Sequence, residues 1–335
     1  MNTVNHGKSE TNIMRKTEKK LSRRRFLGTM AMVGAAIPFA GSAAENLLFS
    51  PASSTRPIHV FSKPLQWLGY EALAEILADA GAEGIDLSVR PGGHVLPENV
   101  ETDLPKAIEA ARKKGLKVEM IVTAITKADE KYTESILKTA SSQGIKYYRM
   151  GERNYDDSVD IMTTLQNIKA DFRNLAEINK KYKIHGAFQN HVGTRVGAPV
   201  WDIYEILKGL DPEYIGCQYD IRHAVAEGGQ SWPNGFRLVI PWVKCTDIKD
   251  FKWSQTNGKW APETVPMGEG MVNFDAYFKL VKKYNVPGPI SVHFEYPPFE
   301  RFNKVLPEDE KKKLFITAMK KDIDAVKSYR EKYQL

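Results

Sequence analysis

Eight short apolar runs alternate with longer segments of helical period, and this alternation is the strongest constraint on the fold of the 335-residue chain. A short apolar run followed by an amphipathic segment predicts a parallel strand and its crossover helix. Eight such units predict a closed barrel, so the expected fold class is α/β, a single (β/α)8 TIM barrel. The predicted strands are residues 57–62, 84–88, 117–122, 145–150, 184–189, 215–219, 239–245 and 289–294.

The segments between these runs predict helices that end at glycines. Gly81, Gly115 and Gly144 each follow a helical pattern and precede an apolar run, which is typical of a helix end. An open doubly wound sheet is the competing fold, but no Gly-x-Gly-x-x-Gly motif follows the first predicted strand. The predicted helices are residues 70–80, 103–114, 131–143, 158–182, 201–208, 273–284 and 307–332.

Residues 1–44 resemble a twin-arginine export signal. The motif Ser-Arg-Arg-Arg-Phe-Leu at 22–27 precedes an apolar run at 28–40 and small residues at 41–44. The run is shorter than the ~20 residues of a bilayer span, so no stable membrane span is expected after processing. We therefore expect a signal at 1–44, a linker at 45–56, a barrel at 57–335 and a periplasmic or exported product. Met1 and Met14 are both candidate translation starts.

The charge of the chain lies mostly in this leader. Its eight basic and two acidic residues leave 40 basic and 39 acidic residues from the 48 and 41 of the whole chain. The remainder is nearly neutral, which excludes an electrostatic argument for nucleic-acid binding. Strand parity places Cys217 and Cys245 on opposite faces of the barrel wall, so we expect two buried free thiols rather than a disulfide.

Ionisable residues cluster where the predicted strands end, and active sites of such barrels lie at the carboxyl ends of their strands. Asp220 and Glu295 are the strongest candidates, because burying unpaired carboxylates is costly without a cation. Two late-strand carboxylates with an amide or imidazole from strand five predict a divalent ion such as Mn²⁺ or Mg²⁺. Asp250, at the start of a long irregular loop predicted at 250–272, is expected to be a solvated loop acid.

Six ordered motifs resemble the sugar phosphate isomerase/epimerase superfamily of xylose isomerase-like barrels. They are GAEGIDLSVR, FQNH, YDIRH, TDIKD, MGEG and HFEY. The resemblance implies a divalent metal held by Glu, Asp, His and Glu from strands five to eight. The corresponding residues of this chain are Gln189, Asp220, Asp247 and Glu295, so an amide replaces one carboxylate and a carboxylate replaces the imidazole.

These substitutions affect the chemistry that the resemblance implies, a metal-dependent proton transfer next to the carbonyl of a keto-sugar. Gln189 cannot take a proton at neutral pH, which disfavours a two-base epimerase and leaves an isomerase or a lyase/hydratase acting on 3-keto-glycosides or their glycal products. A non-catalytic periplasmic sugar-binding barrel is the alternative from another class. The expected partner is a small sugar, and an oligomer is compatible with the sequence.

The resemblance and the strand ends assign candidate roles. Glu295 or His191 is the expected base, and His223 and Lys63 are the candidate acids or hydroxyl binders. Phosphate recognition is not expected, because no glycine-rich phosphate cradle is present. The expected substrate contacts are Arg90, His94, Glu152, Lys249, His293 and Trp253.

Overall fold

The computed structural model describes residues 55–300 and 305–335. The predicted signal at 1–44 and most of the predicted linker lie outside these residues and stay predictions. The described strands are β1 Ile58–Phe61, β2 Gly84–Ser88, β3 Lys117–Val122, β4 Tyr147–Arg149, β5 His185–Gln189, β6 Ile215–Asp220, β7 Val243–Ile248, β8 Asp250–Thr256, β9 Lys259–Val265 and β10 Ile290–Val292. The described helices are α1 Tyr70–Asp79, α2 Val100–Lys113, α3 Thr133–Ser142, α4 Ile161–Tyr182, α5 Val200–Leu207, α6 Ile221–Gly228, α7 Trp232–Val239, α8 Phe274–Lys283 and α9 Glu308–Tyr333.

Eight parallel strands close into a barrel in the order β1-β10-β7-β6-β5-β4-β3-β2. Each pair of neighbours is parallel, including the closing pair of β1 and β10. The helices lie between the strands in sequence, which confirms the predicted (β/α)8 fold. None of the helices in the described part of the chain is long and apolar enough to span a bilayer.

Four parts of the sequence were predicted incorrectly. The apolar run at 239–245 begins as the end of α7 and a 3-10 turn that contains Pro241, so β7 starts only at Val243. Helix α2 begins at Val100 rather than at 103, because a 3-10 turn at Pro97–Asn99 leads directly into it. Helices α6 and α7 were not predicted. The segment predicted as an irregular loop after residue 250 contains the antiparallel hairpin of β8 and β9.

Asp250 anchors this hairpin from a buried position, so the prediction of a solvated loop acid is wrong. Its Oδ2 accepts hydrogen bonds from the backbone N–H groups of Gly268 and Gly270, each at 3.0 Å. Its Oδ1 accepts from the N–H groups of Phe251 at 2.8 Å and Val272 at 3.1 Å. The Asp250 carboxylate therefore fixes the start of β8 and the segment that follows β9 to each other.

The two faces of the barrel wall differ in chemistry. Outward side chains such as Cys217 and Tyr219 belong to the large apolar core between strands and helices. Inside the barrel, a small apolar cluster of Met120, Ala187 and Cys245 is separate from that core. Buried polar side chains occupy other inward positions, which is unusual for a barrel interior.

Both cysteines are free and buried, as predicted. Burial raises the pKa of each thiol above its ordinary value, so little thiolate forms at neutral pH. We expect the native protein to resist an aromatic disulfide reagent and the denatured protein to release two equivalents of coloured thiol. Reaction of a full equivalent within minutes under native conditions would contradict the buried placement of Cys217 and Cys245.

Candidate active site

A cavity of about 340 Å³ opens at the carboxyl ends of the barrel strands. Most of its polar side chains come from the ends of β1, β4, β5, β7 and β10 or from the residues that follow them. Six of the lining side chains are cationic and two are acidic, so the walls carry a marked positive excess. The lining residues are Phe61, Lys63, Arg90, Arg149, Glu152, Gln189, His191, Val192, Arg195, Arg222, His223, Lys249 and Glu295.

The ammonium group of Lys249 lies at the centre of the site. Its Nζ is 2.9 Å from Asp220 Oδ2, 3.1 Å from Glu295 Oε2 and 3.1 Å from His223 Nε2. An ammonium carries three protons, and these three acceptors can take all of them. Burial alone would lower the pKa of Lys249, but Asp220 and Glu295 outweigh burial and raise it above the ordinary value. Lys249 is therefore a buried, permanently charged cation.

His223 is a neutral partner of this cation. Its Nδ1 lies 2.9 Å from the backbone oxygen of Asn190, which can only accept, so the proton sits on Nδ1 and Nε2 accepts from Lys249. Burial lowers the pKa of His223 well below its usual range, although Asp220 acts in the opposite direction. His223 thus orients Lys249 and has no proton on the nitrogen that faces it.

Asp220 ends β6 and begins α6. Its Oδ1 caps the helix by accepting from the N–H of His223 at 3.1 Å, while Oδ2 faces Lys249. The side chain of Asn190 holds the backbone of Asp220 from both sides, accepting from its N–H at 2.7 Å and donating to its oxygen at 2.9 Å. Burial would raise the pKa of Asp220, but the positive charge of Lys249 lowers it below the ordinary range.

Arg149 decides the orientation of the Gln189 amide. A guanidinium only donates, so Gln189 Oε1 must face Arg149 Nη1, which lies 3.0 Å away. The amide nitrogen then faces two carboxylates, Asp247 Oδ2 at 2.5 Å and Asp220 Oδ2 at 3.2 Å. Gln189 is consequently a donor to both aspartates and offers them no lone pair.

Glu295 presents a carboxylate to the cavity between two lysines. Its Oε2 contacts Lys249, and its Oε1 lies 3.6 Å from Lys63 Nζ, which also contacts Glu300 at 3.0 Å. Burial would raise the pKa of Glu295, but Lys249, with His293 and Lys63, brings it well below the usual range. Glu295 is therefore ionised at neutral pH.

A second polar cluster lies inside the barrel and does not line the cavity. Asp86, Asp247 and His293 are fully buried, and one ligand atom from each lies within 4.8 Å of the others. His293 Nε2 is 3.3 Å from Asp247 Oδ1 and 4.0 Å from Asp86 Oδ2. Burial raises the pKa of Asp86 to about 6. These three residues form a candidate metal site that has no direct exposure to the cavity.

The ligand set predicted from the resemblance does not fit a divalent ion in this arrangement. A hard cation needs lone pairs that converge on one point. Gln189 instead directs its N–H groups toward Asp220 and Asp247, and the Lys249 ammonium bridges Asp220 and Glu295. The positive charge expected from a metal is supplied at this position by a side chain.

Three of the six predicted substrate contacts, Arg90, Glu152 and Lys249, line the cavity, and the other three do not. His94 is held by Ser62, Ser88 and the backbone oxygen of Leu65, at 3.1 to 3.2 Å, and burial lowers its pKa to about 4. His293 belongs to the deeper cluster. Trp253 lies on the β8–β9 hairpin with 44% of its surface exposed and is also outside the cavity lining.

His191 lines the cavity but has both ring nitrogens engaged. Its Nδ1 accepts from the N–H of Val192 at 2.9 Å, and its Nε2 lies 3.3 Å from Glu152 Oε1. The Arg195 guanidinium also pairs with Glu152 and lies 3.3 Å from His191 Nε2. His191 therefore has no free lone pair in this arrangement, which disfavours the predicted role of His191 as the base.

Sequence reasoning did not select five lining residues, Phe61, Arg149, Val192, Arg195 and Arg222. The sequence contains a signal for Arg149, because it lies two residues after Tyr147 on β4 and so faces the same, inner side of the barrel. A charged residue in so short a strand is, however, more typical of an edge strand or a loop. Arg222 lies within the YDIRH motif. It was missed because α6 was not predicted and its direction therefore could not be assigned.

Comparisons with known proteins agree with this barrel. A model of the xylose isomerase-like TIM barrel family matches residues 74–314. No curated protein matches the sequence significantly. Among solved structures, the IOLI protein with a bound zinc atom is 18% identical, with a TM-score of 0.62, covering 82% of this chain and 99% of that one.

Two further solved structures carry names that indicate an activity. The probable 3-DHS dehydratase AsbF, involved in petrobactin synthesis, from Bacillus anthracis is 15% identical, with a TM-score of 0.58 and coverage of 79% and 97%. The 3-keto-D-glucoside 4-epimerase YcjR from E. coli is 10% identical, with a TM-score of 0.58 and coverage of 79% and 98%. At these identities the likeness concerns the fold alone.

Proposed function

The chain belongs to the xylose isomerase-like TIM barrel family, and from that premise we propose that it is an enzyme that removes a proton next to the carbonyl of a keto-sugar. One observation carries this proposal. Glu295 is an ionised carboxylate on the cavity wall, between two ammonium groups, whereas Gln189 at the strand-five position cannot accept a proton. A single base with neighbouring cations supports chemistry that needs one proton acceptor and one proton donor.

The cations compensate for the weak basicity of Glu295. Its lowered pKa makes it a poor proton acceptor in water, so the enolate must be stabilised as it forms. Fixed positive charges aimed at the developing oxyanion stabilise the transition state more than the ground state. Lys249 and Arg149, both buried and both on the cavity wall, are placed to supply that charge. No step requires a metal ion.

Lys63 is the proposed proton donor. It lines the cavity beside Glu295, and its side chain is 39% exposed, so it can exchange its proton with solvent between turnovers. His223 is less suited to this role because its Nε2 already accepts from Lys249. With one base and one acid, removal of the α-proton can be followed by expulsion of a β-oxygen, which is an elimination. The reverse reaction is a hydration.

A single-base isomerisation is the second candidate, and it rests on the same carboxylate. In that reaction Glu295 would return the proton to the neighbouring carbon on the same face of the sugar. Among the solved structures with a similar barrel, one is named a probable dehydratase and another an epimerase. The two reactions differ in whether water is lost or gained.

Hydrogen exchange tests the proposal directly. The protein, in D2O with 3-keto-glucosides and ketohexoses, is expected to incorporate deuterium at the carbon next to the carbonyl, as read by NMR. Loss or gain of water would indicate the lyase/hydratase reaction, and net isomerisation the second candidate. Absence of deuterium from every sugar would favour a non-catalytic binding barrel.

Treatment with a chelator tests the cation assignment in the same assay. Because Lys249 supplies the central charge, exchange should persist after exhaustive treatment with EDTA. An activity that disappears with EDTA and returns on addition of Mn²⁺ or Mg²⁺ would contradict that assignment. The deeper cluster of Asp86, Asp247 and His293 would then be the first place to look for the ion.

A further inference from the structure

Three arginines on the cavity wall have no carboxylate within salt-bridge distance among the described residues. Arg149 and Arg222 are each only 7% exposed, and Arg90 is half-buried. Arg149 donates to the amide oxygen of Gln189 at 3.0 Å, and Arg222 donates to the backbone oxygen of Pro262 at 3.2 Å. The Nε atoms of Arg149 and Arg222 donate no hydrogen bond within the described part of the chain. Buried guanidiniums without a counter-ion are costly.

Two of these arginines pack on the same aromatic ring. The guanidinium carbons of Arg90 and Arg149 lie 5.7 Å and 5.4 Å from the centroid of Phe61. Burial, and then the positive charge of Arg149, lower the pKa of Arg90 below its ordinary value. Phe61 thus holds two like charges near each other, an arrangement that becomes favourable when an anion lies between them.

The other cavity cations already have acidic partners. Lys249 pairs with Asp220 and Glu295, Lys63 with Glu295 and Glu300, and Arg195 with Glu152. The unpaired excess is therefore confined to Arg90, Arg149 and Arg222. Proton transfer on a neutral keto-sugar uses only Arg149 of these, for the developing oxyanion, and leaves Arg90 and Arg222 without a role.

We propose that these three arginines form an anion subsite, and that the substrate is a sugar acid whose carboxylate binds there. This inference rests on the proposed function for the sugar part of the ligand. Guanidinium groups bind planar carboxylates through paired hydrogen bonds, and the charge is neutralised without a metal.

A carboxylate fits this subsite better than a phosphate ester. Phosphate sites commonly use backbone N–H groups at a helix N-terminus. Helix α6 begins beside the cavity, but Asp220 Oδ1 already accepts from its His223 N–H at 3.1 Å and brings negative charge to that end. The unpaired donors of the subsite all belong to side chains. The cavity of about 340 Å³ has room for one monosaccharide.

Calorimetry with matched pairs of ligands tests the anion subsite without turnover. The pairs are glucuronate and glucose, galacturonate and galactose, and gluconate and glucitol, at one low salt concentration. At least one acid should bind about tenfold or more tightly than its neutral partner, because hydrogen bonds between charged groups are stronger than those between neutral ones. If no acid binds more tightly than its partner, the subsite is rejected. If glucose 6-phosphate binds more tightly than any of the acids, the subsite would be assigned to a phosphate group instead of a carboxylate.

Substitution of single arginines locates the binding. Arg90→Gln should weaken the preferred acid about 10- to 100-fold and its neutral partner little. Arg222→Gln should act in the same direction. Arg237→Gln is the matched control, because it removes the same charge from an exposed position on α7. Equal losses for acid and neutral ligand in Arg90→Gln, or an equal loss in the control, would overturn the assignment.

The two proposals fail separately. Binding of a sugar acid without deuterium exchange into any keto-sugar would reject the enzyme and retain the anion subsite. Exchange into neutral keto-sugars with no preference for acids would reject the subsite and retain the enzyme.

Discussion

Lys249→Met is expected to destabilise the barrel by roughly 3–5 kcal/mol at neutral pH, because it leaves Asp220 and Glu295 as buried carboxylates without their shared cation. Methionine has a similar length, so the loss should come from charge rather than from a cavity. Urea unfolding followed by circular dichroism measures the difference. A variant as stable as the natural protein would remove Lys249 from the centre of the site.

The pH dependence of this loss has a defined sign. In the natural protein Asp220 has a lowered pKa, so it stabilises the fold above the ordinary carboxyl range and stops doing so as the pH falls through the lowered value. In the variant burial prevails and raises that pKa, so protonation relieves the unpaired charge. The difference in unfolding free energy between the two proteins should therefore shrink from about pH 7 to about pH 4.

Two further variants distinguish a loss of charge pairing from a nonspecific loss of stability. Lys180→Met changes the same residue type at an exposed position on α4 and should have little effect. Asp220→Asn combined with Lys249→Met removes both charges. The double variant should lose less stability than the sum of the two single losses, since the partners interact directly. Strict additivity would contradict a direct pairing of Asp220 with Lys249.

Glu295→Gln is expected to reduce the rate of α-proton exchange about 10²- to 10⁴-fold, the range typical of a general base. The amide keeps the shape of the side chain and cannot accept the proton. Binding of the sugar should change much less, because the substitution removes a base rather than the cavity. Measurement of deuterium incorporation alongside ligand affinity distinguishes these effects.

The pH profile of the natural enzyme follows from the same carboxylate. Activity requires ionised Glu295, and its pKa lies well below the usual value, so the acid limb should appear only below about pH 4.5. Glu300→Gln is the comparison variant, since Glu300 also contacts Lys63 but does not line the cavity. Glu300→Gln should lower the rate of α-proton exchange by less than about tenfold. Equal losses in the two variants would assign the effect to Lys63 instead.

Local patterns in the sequence were sufficient for most of the fold. The runs at 84–88 and 117–122 match β2 and β3 residue by residue, and Gly115 and Gly144 follow α2 and α3 with φ of 75° and 82°. Such signals lie within a few neighbouring residues. The prediction failed where neighbours conflict, as at Pro241 inside an apolar run, and where strand pairing lies outside the barrel, as in the β8–β9 hairpin.

The sequence also placed the chemistry at the right end of the barrel. Gln189, Glu295, Lys63, His191 and His223 all line the cavity, because strand ends and side-chain alternation can be read locally. Their roles could not be read in that way. The resemblance suggested that Asp220 and Glu295 would hold a divalent ion, whereas the structure puts the Lys249 ammonium between them.

The sequence by itself therefore determined a parallel barrel and most of the polar side chains at its open end, since hydrophobic period and strand parity are properties of short segments. Only the tertiary structure decided which of these side chains meet. Asp220 ends β6, whereas Lys249 and Glu295 follow β7 and β10. Arg149 on β4 contacts Gln189 on the neighbouring strand β5. Those contacts depend on the register of a closed sheet, because a shift by one residue would turn each side chain to the other face of the wall.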